Sequence, residues 1–139
     1  MKTPSYEETR LQPLTTDALI EERVTALIGR ASQRQLWFLF LDGEQVQLPL
    51  VIPLGELPAR PDALVGNLAQ SMSEAMAAAD ARSVIVVIER YADSTLTAAD
   101  RAWARAVHEG FEQQGIVVRG ILLSHRRGVR WVAQDDYRF

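Results

Sequence analysis

Six residues between an apolar run and a helical pattern carry side chains that could do chemistry: Glu89, Arg90, Tyr91, Asp93, Thr97 and Asp100. They follow "SVIVVI" (83–88) and lead into "TAADRAWARAV" (97–107), so they occupy a strand-loop-helix junction. The C-terminal edge of a strand is where open α/β sheets tend to bind ligands. Three carboxylates there could hold a magnesium or calcium ion through oxygen ligands, or divide general acid and base roles between them. A structural reading competes. Thr97-x-x-Asp100 has the spacing of a capping box, with the hydroxyl accepting a backbone N–H and the carboxylate reaching back. On that reading Thr97→Ala costs about 0.5–2 kcal/mol. Asp100→Asn, as the loss of one first-turn charge, costs less, about 0.3–1 kcal/mol.

A second group, His125, Arg126, Arg127 and Arg130 with Trp131, surrounds the turn "HRRG". It could form a small basic and aromatic patch for phosphates or a single strand, or simply a solvated hairpin tip. Ser124 and His125 are neighbours in a strand and point to opposite faces, which removes them as a nucleophile–base pair. His108 falls just past the apolar stripe of its helix and is expected at the surface. With two histidines and no cysteine, the chain has few soft metal ligands. No glycine-rich phosphate loop follows a strand. No metal, cofactor or catalytic residue is assigned.

The 139 residues fit one domain,. Hydrophobic residues at 47% and charged residues at 24% are ordinary for a globular protein,. A net charge of −3 disfavours generic binding to nucleic acid or to an anionic membrane without ruling out a local basic patch,. The absence of cysteine removes disulfides and thiolate chemistry,. The N-terminus has no apolar core of signal-peptide length and the apolar runs are strand-sized, so a cytoplasmic location is expected.

These groups need elements to position them. Residues 1–15 are polar and aperiodic and are expected to form a flexible or loosely docked tail, with a single α/β domain over 16–139. From Asp17 to about Arg30, Ile20, Val24, Leu27 and Ile28 share a helical face. "QLWFLFL" (35–41) is a strand buried on both faces, and Asp42-Gly43 marks a hairpin turn. The returning arm "VQLPLVIPL" contains Pro49, which places it at a sheet edge, and Pro53 and Gly55 are expected to end it. A helix from Asp62 to Ala79 carries the stripe Leu64, Leu68, Met72, Ala75, Met76 and Ala79. After the "SVIVVI" strand, Thr97 to about Gln114 forms the next helix, with Trp103, Val107 and Phe111 inward and Gly115 at the stop position. "IVVRGILLS" and "VRWVA" make a second hairpin. The expected architecture is a mixed sheet of about five strands with helices on both faces.

The residues "LWFLFLDGEQVQLPLVIP" and "SVIVVIERYADSTLTAADRAWARAVHEGFEQQGIVVRGILLSHRRGVRWV", over about Gln35–Ala133, resemble the RadC-type branch of the JAB/MPN metalloprotease-like superfamily. The resemblance implies JAB/cytidine-deaminase-like layering. In that family the central strand ends in His-x-His-Pro and a Ser-x-x-Asp opens the next helix, together holding a zinc whose open position carries the reactive water. Here Thr97-x-x-Asp100 matches Ser-x-x-Asp, and Asp100 stands at the carboxylate ligand. Val87 and Glu89 stand where the histidines would be, and Arg90 replaces the proline. The resemblance therefore implies an inherited shape with no zinc: a pseudoenzyme that binds a protein partner or a second copy of itself. Two alternatives stay open. One is a divalent-metal enzyme built on the carboxylate cluster, and the other a nucleic-acid accessory domain using the basic tip.

Overall fold

The computed structural model describes residues 9–137 except 56, 59 and 63, and gives no account of the Leu64 side chain. Among the described residues the elements are α1 (Asp17–Leu27), β1 (Gln35–Leu41), β2 (Gln47–Gly55), α2 (Leu64–Ala79), β3 (Ser83–Glu89), α3 (Ala98–Gln113), β4 (Val118–His125) and β5 (Gly128–Val132), followed by a short 3-10 turn, Gln134–Asp136. The strand order is β2-β1-β3-β4-β5. Only β3 and β4 run parallel, joined by the α3 crossover; the other neighbours are antiparallel. This is the expected α/β arrangement, an open mixed sheet covered on both faces.

Alternation along each strand sorts the core into two layers. Leu36, Phe38 and Phe40 of β1 join Val84, Val86 and Ile88 of β3 under α2 and α3. Leu39 and Leu41 join Ile85, Val87 and Leu122 under α1. Continuous apolar runs are thus needed in β1 and β3, whose two faces both meet helices. On α2 the inward face holds Val65, Ala69, Met72 and Met76, with Leu68 packed at its side. Val65 and Ala69, absent from the expected stripe, are therefore core residues. α1 ends at Leu27, three residues before Arg30, and Gly29 turns the chain at φ 63°. Gly115 takes φ 74° just after α3, a left-handed position natural to glycine,.

β2 lies at the edge and pairs with β1 alone. Its register with β1 shifts between Leu39 and Leu41, and Pro49 sits in that irregular stretch. Pro53 does not end the strand as expected: it pairs opposite Trp37, and β2 continues to Gly55. An edge strand turns alternate N–H groups away from the sheet, so a proline can be carried without breaking a ladder bond. The left-handed residue of the β1–β2 loop is Gln45 (φ 64°), while Asp42 accepts the N–H groups of Glu44 and Val46.

Of the segment 1–15 expected to be a flexible or loosely docked tail, residues 1–8 lie outside the described residues. The rest is docked. Leu14 is buried in the α1 layer, and its N–H donates to the Gln45 carbonyl. The buried Arg23 of α1 donates to the Thr9 carbonyl and to Gln47 Oε1 at 2.7 Å, tying the segment to β2.

Gly120 of β4 lies directly under the Trp131 ring of β5. A Cβ there would stand 2.3 Å from Trp131 Cζ3. Trp131 cannot retreat freely, because its indole N–H donates to the Asp17 carbonyl at 3.2 Å and its ring packs on the α1 layer. Gly120→Ala should lower unfolding stability by about 1–3 kcal/mol, the usual cost of overpacking. The same change in a Trp131→Ala background should cost less. Equal costs in the two backgrounds, measured by denaturant unfolding, would contradict this contact.

Candidate functional site

The junction after β3 is built from two adjacent residues that point to opposite faces of the sheet. Glu89, the last residue of β3, is buried on the α1 side. Its Oε2 accepts the Ser32 N–H at 2.7 Å, the Gln33 N–H at 3.1 Å and the Ser32 hydroxyl at 3.3 Å. Its Oε1 accepts the Gln35 side-chain amide and the Trp37 indole N–H, each at 2.8 Å. Burial pushes the Glu89 carboxyl up, but the donors of Ser32, Trp37, Gln35 and Gln33 together outweigh it and hold the group below 4.5,.

The α1–β1 loop needs these contacts. After Gly29 it runs across the ends of β3 and β4, where backbone groups cut off from water must find partners. Glu89 satisfies two of its N–H groups. The Ala31 N–H donates to the His125 carbonyl, and the buried Ser124 hydroxyl donates to the Gly29 carbonyl at 2.6 Å. Ser124 therefore closes a loop contact and has no nucleophile's environment.

Arg90 turns to the α3 side and is also buried. Its guanidinium meets Asp100, with Nη2 2.8 Å and Nε 3.1 Å from Oδ2. The same guanidinium donates to the carbonyls of Asp93 and Thr95. Asp100 in turn accepts the Thr97 N–H at 2.9 Å, and Thr97 Oγ1 accepts the Asp100 N–H at 3.1 Å, completing the capping box. Burial raises the Asp100 carboxyl, but Arg90 and Thr97 outweigh it and hold it below 3.8.

The six residues of this candidate cleft are thus divided. Glu89 faces the α1 loop, Arg90, Thr97 and Asp100 form a closed network at the start of α3, and Asp93 folds back so that Oδ1 accepts the Thr95 N–H. Tyr91 stands out at 72% exposure. Among the described residues no group of three histidine, cysteine, aspartate or glutamate side chains is placed to hold a metal ion.

At the second candidate group, Arg126 and Arg127 are exposed and His125 is half-buried. The Arg127 N–H donates to His125 Nδ1 at 3.3 Å, placing any ring proton of the neutral form on Nε2,. Burial first, then the positive charges of Arg90 and Arg130 among others, push His125 down. Arg130 is engaged: Nη1 donates to the Ser94 carbonyl at 2.8 Å and Nη2 lies 3.9 Å from Asp136. His108, expected at the surface, is half-buried, with Nδ1 2.7 Å from the Tyr137 hydroxyl. The C-terminal segment covers that flank of α3 with the buried Tyr137, a long-range contact that helical periodicity cannot anticipate.

No family model matches the chain, and no curated protein matches its sequence.

Elsewhere, Leu54, Leu57, Pro58, Val65, Leu68 and Trp103 line an apolar groove of about 280 Å³ between the end of β2 and α2. Sequence patterning did not single it out. Among the described residues no helix is long and apolar enough to cross a membrane.

The buried ion pair reverses the expected order of two substitutions. Asp100→Asn leaves Arg90 buried without its counter-charge, which typically costs about 3–5 kcal/mol, more than the cap loss of about 0.5–2 kcal/mol in Thr97→Ala. Denaturant melts in which Asp100→Asn is the milder change would contradict the pairing. The wild-type pH dependence follows from the same groups. Both carboxyls have folded values below their ordinary 4.5 and 3.8. Their stabilisation is complete above those ordinary values and drains away as pH falls through the lower folded ones. Unfolding free energy should therefore drop on acidification below about 4.5, and Glu89→Gln should flatten part of that drop. An unchanged acid limb in Glu89→Gln would show that Glu89 does not carry it.

Proposed function

We propose that the chain is a non-catalytic binding or assembly module, similar in kind to a JAB/RadC-type domain without its metal. The observation that carries the reading is the saturation of the Glu89 carboxylate. Five donor groups surround its two oxygens, leaving it poorly placed to take a substrate proton. A general base working near neutrality is favoured by a raised carboxyl value, and Glu89 and Asp100 are both lowered. A carboxylate metal site would need Glu89, Asp93 and Asp100 to converge, yet Glu89 and Asp100 serve opposite faces of the sheet. Val87, at the other position where the resemblance would set an imidazole, is fully buried among apolar neighbours. With the chemistry of this junction committed to holding the fold, recognition of another macromolecule by the exposed surfaces is the reading that fits.

The test is a thermal melt of the purified chain against zinc, magnesium and manganese. A cation bound at a hundred times its Kd would stabilise the folded state by about 2.7 kcal/mol. No rise in Tm is expected with any of the three. A rise that Asp93→Asn removes would overturn the non-catalytic reading and restore a carboxylate metal site.

A further inference from the structure

We propose that the surface formed by Tyr91, Arg126 and Arg127 is the docking face of the module, and that its partner is an acidic protein segment carrying an apolar side chain. The inference rests on the reading of the chain as a binding module and names the face and partner chemistry.

The first observation is that this surface is held in place. The Arg126 N–H donates to the Ala92 carbonyl at 2.9 Å, and Arg130 Nη1 to the Ser94 carbonyl at 2.8 Å, so the β4–β5 hairpin is fastened to the loop after β3 at two points. From inside, the buried Arg90 holds the same loop through the carbonyls of Asp93 and Thr95. Tyr91 projects from this braced loop largely exposed. A ring presented on a fixed backbone loses little freedom on binding, and tyrosine and arginine are the residues enriched at energetic centres of protein interfaces.

The second observation is charge. Among the described residues the side chains of Arg126 and Arg127 take part in no ion pair, while the chain as a whole carries −3. Both arginines are exposed. Two adjacent exposed guanidinium groups outside any ion pair therefore mark this hairpin tip, and a partner of opposite sign would be attracted there,.

Local chemistry separates an acidic protein from the other occupants. A nucleic-acid strand would need positive charge spread over several successive phosphates. Here the exposed positive charge outside ion pairs is confined to the two adjacent arginines of the turn, since Arg130 is taken up by the Ser94 carbonyl and by Asp136. One exposed aromatic next to Ala92, whose carbonyl receives the Arg126 N–H, and two exposed arginines in the adjoining turn suit one or two carboxylates beside an apolar side chain. Addition of a partner strand to β5 is also impeded. His125 and Gly128 close the hairpin, so Trp131 turns its carbonyl outward,, and that oxygen already accepts Arg130 Nε at 3.1 Å.

The experiment is an NMR titration of the full chain with a glutamate-rich synthetic peptide carrying leucine at every third position. Its control is the same peptide with lysine for glutamate, and a parallel arm uses single-stranded oligo-dT. The acidic peptide should shift the Tyr91, Arg126 and Arg127 signals, and the lysine peptide should not. Arg126→Glu with Arg127→Glu should weaken binding at least about tenfold, and Tyr91→Ala by about fivefold or more. Melting temperatures should hold, since all three side chains are exposed. Absence of peptide-induced shifts, shifts confined to another face, or oligo-dT binding this face more tightly than the peptide would each overturn the proposal. Failure here leaves the metal melt untouched, so it is distinguishable from failure of the non-catalytic reading.

Discussion

The packing of the α1 layer depends on one buried negative charge. Glu89 sits at the end of the central strand with its carboxylate out of water, a placement that is costly unless the charge is fully hydrogen-bonded. Two backbone N–H groups, a hydroxyl, an amide and an indole meet that requirement. Each donor is held in turn. Gln35 and Trp37 come from β1, where Gln35 pairs directly opposite Glu89, and Ser32 and Gln33 belong to the loop that delivers the chain from α1 into β1. The carboxylate thereby fixes the path of the loop, the entry of β1 and the rotamer of Trp37 with a single group. An amide in its place would turn a donor towards donors.

Arg90 does for the α3 side what Glu89 does for the α1 side. Because successive residues of a strand face opposite ways, one dipeptide places an anion under one layer and a cation under the other. The guanidinium ties Asp100 at the start of α3 to the carbonyls of the preceding loop. The junction after β3 is filled in this way by two hydrogen-bonded networks of opposite central charge, one on each face of the sheet. Such networks tend to be retained when each member is satisfied, since removing one partner leaves the rest stranded in a low dielectric.

Much of this architecture was legible in the residues. The unbroken apolar runs of β1 and β3 announced strands covered on both faces, and Pro49 announced an edge. Thr97-x-x-Asp100 announced its own cap, since a capping box is a local device written in four residues. What local pattern could not reveal was partnership at long range. Asp100 reads as a first-turn charge until Arg90 is seen against it. Glu89 reads as one carboxylate of a strand-end cluster until the α1–β1 loop closes over it, more than fifty positions away in the chain. Gln35, a polar residue at the mouth of an otherwise apolar strand, was the available hint. Pro53 misled because a proline signals strand termination only where both edges of the strand are paired. Leu14 lay in a stretch too short and polar to show a period, though its burial, with the Arg23 bond to Thr9, holds that stretch against α1.

On the reading we propose, the Glu89 carboxylate is a structural anion that takes no part in proton transfer. The most direct measurement is a carbon-detected NMR titration of the Glu89 side-chain carboxyl in the intact protein, with the Trp37 indole proton followed alongside. The midpoint should lie below 4.5, with the indole signal moving through the same transition because the two groups share a hydrogen bond. A midpoint above 4.5, towards the range of a working acid or base, or an indole signal indifferent to the titration, would contradict it.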